Sequence, residues 1–367
     1  MDATTTRQSC RPFLQLPAVQ SCTLRVAVIL PCYNEEAAIG TVVSDFRATL
    51  PEAEIYVYDN NSGDRTIEVA EAAGAIVRRE PLQGKGNVVR RMFADVDADI
   101  YVLCDGDVTY DVGSAPAMIR KLVEERLDMV VGCRIDGDVA SFRKGHRFGN
   151  ALFTGAVAQL FGSRFSDILS GYRVFSRRYV KTFPCLARGF EIETELTVHA
   201  LESRMPIAEV NTPYGARPEG SVSKLSTYRD GFKILHMILK LFKNERPLQF
   251  FSIIFVVLGL ASLVLALPVI ETYLETGLVP RLPTALLSVS IMLLGFLSLT
   301  CGFILDTVTH GRRELKRLAY LGIEPPPARK LPASMDSVAA TTDAQKANER
   351  SSEAPPASAI PAAGAKL

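Results

Sequence analysis

The 367-residue chain is long enough for one large domain with attachments, and its 41 Lys and Arg nearly balance its 40 Asp and Glu, so no global field favours nucleic acid and any basic partner site is local. Seven cysteines, an odd number without Cys-x-x-Cys spacing, argue against a disulfide framework and a structural zinc site, and fit a reducing compartment. His146, His199, His236 and His310 are too scattered to suggest a metal cluster.

Residues 1–23 mix Thr, Ser, Pro and Gln without periodicity and without a basic-then-apolar signal pattern, which predicts a flexible leader. An apolar run at 24–30 then stops at Pro31-Cys32-Tyr33-Asn34-Glu35-Glu36, and 37–50 has helical spacing. A second strand at 54–58 ends in Asp59-Asn60-Asn61-Ser62-Gly63-Asp64, with a helix to 73 that Gly74 stops. A short third strand (75–78) leads through Gln83-Gly84-Lys85-Gly86 into another helix. The fourth strand is 99–104, then a helix at 113–126 and a fifth strand at 129–133. This β-α alternation predicts an α/β fold, a doubly wound and mostly parallel sheet wrapped by helices, with ligands outside the carboxyl ends of the strands.

Beyond it the pattern is less regular. A helix is expected at 146–161, a short strand through 175 entered by Asp167-Ile168-Leu169-Ser170-Gly171-Tyr172-Arg173, an amphipathic helix at 191–203 whose polar face carries Glu191, Glu193 and Glu195, and an edge strand at 206–211. From 230 to 242 apolar residues recur at helical spacing with lysines between them, as in a helix lying in a membrane interface. Residues 250–270 and 282–305 carry no charge, and each stretch reaches the roughly 20 residues needed to span a bilayer. Basic residues crowd before the first span and after the second, so the positive-inside rule places the α/β part and both termini in the cytoplasm of an inner or plasma membrane. The expected organisation is a leader (1–23), an α/β domain (24–223), a basic juxtamembrane helix (224–246), a two-helix anchor (247–311) and a Pro/Ala/Ser-rich, mostly disordered cytoplasmic tail (312–367).

The rest of the chain is read around Asp99-Ile100-Tyr101-Val102-Leu103-Cys104-Asp105-Gly106-Asp107, a buried strand ending in two acids. Residues i and i+2 of an extended segment point the same way, so Asp105 and Asp107 can aim at one point. Like charges about 4 Å apart repel by about 4 kcal/mol at an effective dielectric of about 20, a cost that a cation between them removes. Oxygen ligands without His or Cys favour Mg2+ or Mn2+. An Asp-x-Asp taken alone is more often a solvated turn, and only its surroundings overturn that reading.

Those surroundings resemble the family 2 glycosyltransferases of the GT-A fold, and within them the polyprenyl-phosphate glycosyltransferases typified by dolichol-phosphate mannose synthase and the bacterial two-span enzymes. The resemblance rests on residues 28–36, 59–66, Gly84-Lys85-Gly86, Asp105-Gly106-Asp107, 167–173 and Arg217-Pro218-Glu219-Gly220-Ser221-Val222-Ser223-Lys224, in family order over about 24–245. It implies a nucleoside-diphosphate sugar, UDP- or GDP-linked, at the strand ends. Pro31, Tyr33, Asn34, Glu35, Asp59 and Asn61 would hold base and ribose, Lys85 the diphosphate, and Asp105 and Asp107 the metal. Many relatives carry Asp-Asp-x-Ser-x-Asp where this chain has Asp59-Asn60-Asn61-Ser62-Gly63-Asp64, so Asn60 and Asn61 are candidates for retuning base choice.

A lipid monophosphate, with a second pKa of about 6, is already largely ionised and needs no general base, only positive charge, for which Arg134, Arg147, Arg217 and Lys224 are the candidates. Asp167 has three open roles: orienting the acceptor, acting as base for a different acceptor, or capping the turn before Ser170-Gly171. A processive synthase usually carries Gln-x-x-Arg-Trp, and this chain has no Trp; a non-catalytic nucleotide-sugar-binding scaffold is the rival of another class. The assembly state stays open, a homo-oligomer included.

Overall fold

The computed structural model describes residues 24–136, Gly155, 167–189, 191–215 and 239–325. The expected helix at 146–161, and with it Arg147, Arg217, Lys224 and the start of the basic helix, lie outside the described residues.

Among the described residues seven strands form one sheet: β1 (Val26–Cys32), β2 (Glu54–Asp59), β3 (Ile76–Arg79), β4 (Ile100–Leu103), β5 (Met129–Asp136), β6 (Arg173–Ser176) and β7 (Ile207–Tyr214), in the order β3-β2-β1-β4-β6-β5-β7. β1 pairs in parallel with β2 and β4, β2 with β3, and β5 with β7, whereas β6 is antiparallel to both β4 and β5. The reversal has a topological cause. Asp167 pairs with Arg134 at the carboxyl end of β5, so the chain enters β6 from that end and runs back between β4 and β5. This delivers the turn before β6 to the edge where β4 presents Asp105.

Alternate side chains of β1 enter opposite faces, as a strand buried on both sides requires. Ala27 and Ile29 join Tyr101, Met92, Phe93 and Phe175 on one face, while Val28 and Leu30 join Phe46, Val102, Ile119 and Leu122 on the other. The covering helices are α1 (Ile39–Thr49), α2 (Thr66–Ala72), α3 (Lys85–Asp95), α4 (Ala115–Glu124), α5 (Arg177–Thr182) and α6 (Ile192–Glu202). One expectation is corrected here. α6 does not show a polar face, for Glu193, Thr194, Thr197 and His199 are buried along with Ile192, Leu196 and Ala200.

Two further helices, α7 (Pro247–Thr276) and α8 (Leu282–Leu321), are long and apolar enough to cross a membrane and keep most of their surface exposed. Gly277 closes α7 in the left-handed conformation at φ 65°. The buried positions of α8 include Ser288, Gly295, Gly302 and Thr309, seven residues apart, the repeat that keeps one helix face on a partner. Small residues let the helices approach, and Ser262 and Ser288 exchange hydrogen bonds through their hydroxyls and carbonyls at 2.8 and 3.2 Å. Helix α8 runs on past residue 311, where the sequence reading ended the anchor.

Candidate active site

The loops that follow β1 and β2 are tied to one another. At the end of β1, Asn34, at φ 53°, donates its N–H to Ser62 Oγ at 2.9 Å and accepts at Oδ1 from the Gly63 N–H at 2.8 Å. The Glu35 N–H donates to Thr66 Oγ1 at 2.9 Å, joining the start of α1 to the start of α2. Pro31 is the last but one residue of β1 beside them, and Tyr33 is exposed at this rim. At the end of β2, Asp59 is buried and its carboxylate accepts the Ser62 N–H at 3.3 Å, which shapes the loop.

Asn60 is a brace. Its Nδ2 donates to the Glu80 and Leu82 carbonyls, both at 2.8 Å, and its Oδ1 accepts the Gly84 N–H at 2.7 Å. Asn61, at φ 64°, donates to the Pro81 carbonyl at 2.9 Å. The two asparagines thus hold the 80–84 loop that leads to Lys85. Glycine is required at 84 and 86, because a Cβ at either position would collide with the backbone carbonyls of Arg188 and Ala187. The segment that crosses there is fixed by Glu195, whose carboxylate accepts the N–H groups of Leu186 at 2.9 Å and Ala187 at 2.7 Å.

Lys85, the first residue of α3, lies between two acids. Its Nζ is 2.5 Å from Asp105 Oδ1 and 2.6 Å from Glu193 Oε1, with only 11% of the lysine and 8% of the glutamate side chain exposed. Burial works against the ammonium, but the two carboxylates outweigh it and hold the Lys85 pKa above its ordinary range. Gly171 completes the nest, since a Cβ there would come within 2.5 Å of Asp105 Oδ2. Asp107 is buried and accepts the Thr109 hydroxyl at 2.5 Å. Val108 between them sits at φ 60°, a strained conformation for a β-branched residue, so the acid turn is held rather than relaxed. Among the described residues no three His, Cys, Asp or Glu form a metal cluster.

At the end of β5, Arg134 meets Asp167 in a bidentate pair, Nε to Oδ2 at 2.6 Å and Nη2 to Oδ1 at 2.8 Å, over the Tyr214 ring. Burial opposes the guanidinium's charge, and Asp167 more than compensates, raising the Arg134 pKa. The turn carrying Asp167 is set by Arg173. This fully buried guanidinium donates to the Ile168 carbonyl at 2.5 Å, the Ser170 carbonyl at 2.9 Å and Thr197 Oγ1 at 2.9 Å. Tyr110 accepts the Gly171 N–H at 2.8 Å from the other side.

Comparison with known proteins gives this arrangement a family. The model described as glycosyl transferase family 2 matches residues 27–183. The chain is 33% identical over 299 residues to glycosyltransferase AglJ of Haloferax volcanii, an alignment covering 81% of this chain and 98% of that one. The chain belongs to glycosyl transferase family 2. This family 2 enzyme is also 31% identical over 222 residues to a dolichyl-phosphate hexose transferase of Haloferax volcanii, covering 60% of this chain and 95% of the relative. Among solved structures, glucosyl-3-phosphoglycerate synthase of Mycobacterium tuberculosis, crystallised with Mn2+, UDP and phosphoglyceric acid, superposes with a TM-score of 0.51 at 24% identity over 60% of this chain and 78% of that one. That likeness speaks for the GT-A fold alone.

The strand-end residues of this glycosyltransferase are legible in its sequence, but their partners are not. The structure brings Lys85 to Asp105, Arg134 to Asp167, and Asn34 to the loop after Asp59. Glu193, Glu195, Asn60, Arg173 and Tyr110 were not foreseen in these roles. Glu193 stands 108 residues from Lys85, with no local signal to link them.

Proposed function

We propose that the enzyme moves one sugar from a nucleoside-diphosphate sugar to a polyprenyl phosphate at a membrane, with inversion at the anomeric carbon. The observation that carries this is Lys85 held beside Asp105 at the carboxyl edge of the sheet, where ligands of such sheets bind, in a chain that also has two membrane-length helices. The dolichyl-phosphate hexose transferase among the relatives supports a lipid-phosphate acceptor.

The acceptor phosphate oxygen attacks the anomeric carbon as the bond to the β-phosphate breaks, and the nucleoside diphosphate leaves with the electron pair. No proton has to move, because the lipid phosphate enters ionised. Lys85 sets positive charge beside the departing diphosphate, and Glu193 holds it there. Pro31, Tyr33, Asn34, Glu35, Asp59 and Asn61 line the neighbouring loops and are assigned to the base and ribose.

The donor chemistry at Asp105 and Asp107 is all hard oxygen and supplies few ligands, which fits Mg2+ or Mn2+ that take the remaining positions from water and diphosphate. Such an ion, held by Asp105 and Asp107, would neutralise charge growing on the leaving group. Arg134 is assigned to the acceptor phosphate, with Arg147, Arg217 and Lys224. A saccharide hydroxyl acceptor would need a base, and both oxygens of Asp167, the candidate, lie in the Arg134 fork, which favours the phosphate acceptor. The positive-inside pattern puts the catalytic domain and both termini in the cytoplasm.

The test is Asp107→Asn. In membranes supplied with polyprenyl phosphate and a nucleotide sugar, the folded variant is expected to lose metal-dependent transfer by about a hundredfold or more. Full activity of that variant in the presence of a chelator would overturn the assignment.

A further inference from the structure

The helix α8 does not stop where its apolar stretch does. Asp306 is the first charge after 282–305, yet the helix continues to Leu321, so about 22 Å of it, at 1.5 Å per residue, projects beyond the apolar stretch. The catalytic domain grips this projecting end. The Tyr320 hydroxyl donates to Asp128 Oδ2 at 2.8 Å, while the guanidinium groups of Arg178 and Arg317 lie 4.0 and 4.9 Å from its ring centre. Asp128 is wholly buried and also accepts from Ser176 Oγ at 2.7 Å and Arg178 Nη2 at 2.8 Å. One helical turn earlier, Lys316 donates at 2.6 Å to Glu202, a buried carboxylate at the end of α6. Arg312 and Arg313 reach Glu245 at 3.0 and 3.2 Å, just before α7.

The rotation of this end is fixed by the apolar part of the helix. Ser288, Gly295 and Gly302 face α7 at seven-residue intervals, Thr309 next in the series reaches the Asn244 carbonyl just before α7, and Lys316 follows it. A helix turns about 100° per residue, so any rotation that broke the Ser262–Ser288 contact would also carry Lys316 away from Glu202. Asp128 immediately precedes β5, and Arg134 lies six residues along that strand, about 20 Å away at 3.3 Å per residue. One rigid helix therefore connects the anchor to the strand that ends at the acceptor side of the site.

We propose that Tyr320 and Lys316 are positioning residues, and that the projecting end of α8 is a latch holding the catalytic domain in one pose over its anchor, so that a membrane-embedded acceptor meets the site at a set height. The consequence for turnover rests on the lipid-phosphate reading above; the pose does not.

The experiment uses the full chain in lipid nanodiscs, with Cys10, Cys22 and Cys301 replaced by serine and nitroxides on Glu124→Cys in α4 and Glu275→Cys in α7, both exposed positions. Electron-electron double resonance is expected to give one narrow distance in the parent and a broad distribution in Tyr320→Ala/Lys316→Ala, with partial broadening in Lys316→Ala alone should the double variant fail to fold. Transfer to long-chain polyprenyl phosphate in the disc should show an apparent KM raised about tenfold, the scale of a lost hydrogen bond to a buried charge, with transfer to a short water-soluble isoprenyl phosphate unchanged. An unchanged distance distribution would overturn the latch. Equal loss with both acceptors would overturn its positioning role. A parent protein that transfers sugar to neither acceptor would sink the lipid-phosphate reading instead, while the distances still decide the pose.

Discussion

Replacing Lys85 with methionine removes the charge between Asp105 and Glu193 while keeping a flexible, apolar stem in its place. The two carboxylate oxygens lie 2.5 and 2.6 Å from one nitrogen, so they are at most the sum of those distances, about 5 Å, apart. At an effective dielectric of about 20, two unit charges at that separation repel by about 3 kcal/mol, and Lys85→Met should destabilise the catalytic domain by about that much near neutral pH. Urea unfolding followed by circular dichroism, with the full chain in detergent, reads the loss. Lys85→Met/Glu193→Gln removes the repulsion and should recover most of the stability, while sugar transfer stays low because the diphosphate has lost its cation. A Lys85→Met protein within about 1 kcal/mol of wild type would refute the reasoning, because the two acids would then not be facing one another.

Two other residues test the supports of the site. Asn60→Ala leaves the Gly84 N–H and the Glu80 and Leu82 carbonyls without their partner, and should cost about 2 to 3 kcal/mol in unfolding experiments. Calorimetry should also show nucleotide binding weakened several-fold, since Lys85 follows directly. Burial, reinforced by the charge of Lys316, lowers the His199 pKa from 6.5 to about 3. A folded pKa below the unfolded one contributes stability above pH 6.5 that is lost as pH falls, by up to about 1.4 kcal/mol per unit until the folded pKa is reached. Urea midpoints between pH 7 and 5 should fall for the wild type and flatten in His199→Phe, whose ring can keep the contacts with Tyr179 and Phe183.

Much of the fold was legible because its signals are local. Apolar runs that end abruptly in Pro31, Asp59 and Asp105 fix strand ends within a residue or two, and two uncharged stretches of membrane length mark α7 and α8. The antiparallel insertion of β6 was not legible, because residues 173–176 look like any short strand and their direction is set by where the chain re-enters the sheet. Glu193 misled for a related reason. A glutamate in a helix is by composition a solvent-facing residue, and only the tertiary pairing with Lys85 makes it a buried one. Asn60 was read for a base it could touch, while its amide is engaged by three backbone groups. The grip on Tyr320 joins residues 192 positions apart and leaves no periodic trace.

The most direct measurement supplies the full chain in membranes with polyprenyl phosphate and radiolabelled UDP- and GDP-sugars, then follows label into the organic phase. The account predicts label in a lipid that mild acid releases, with one nucleotide preferred, dependence on a divalent ion, and loss in Asp107→Asn. Label that stays in the aqueous phase with every donor, or that enters lipid equally well in Asp107→Asn, would contradict it.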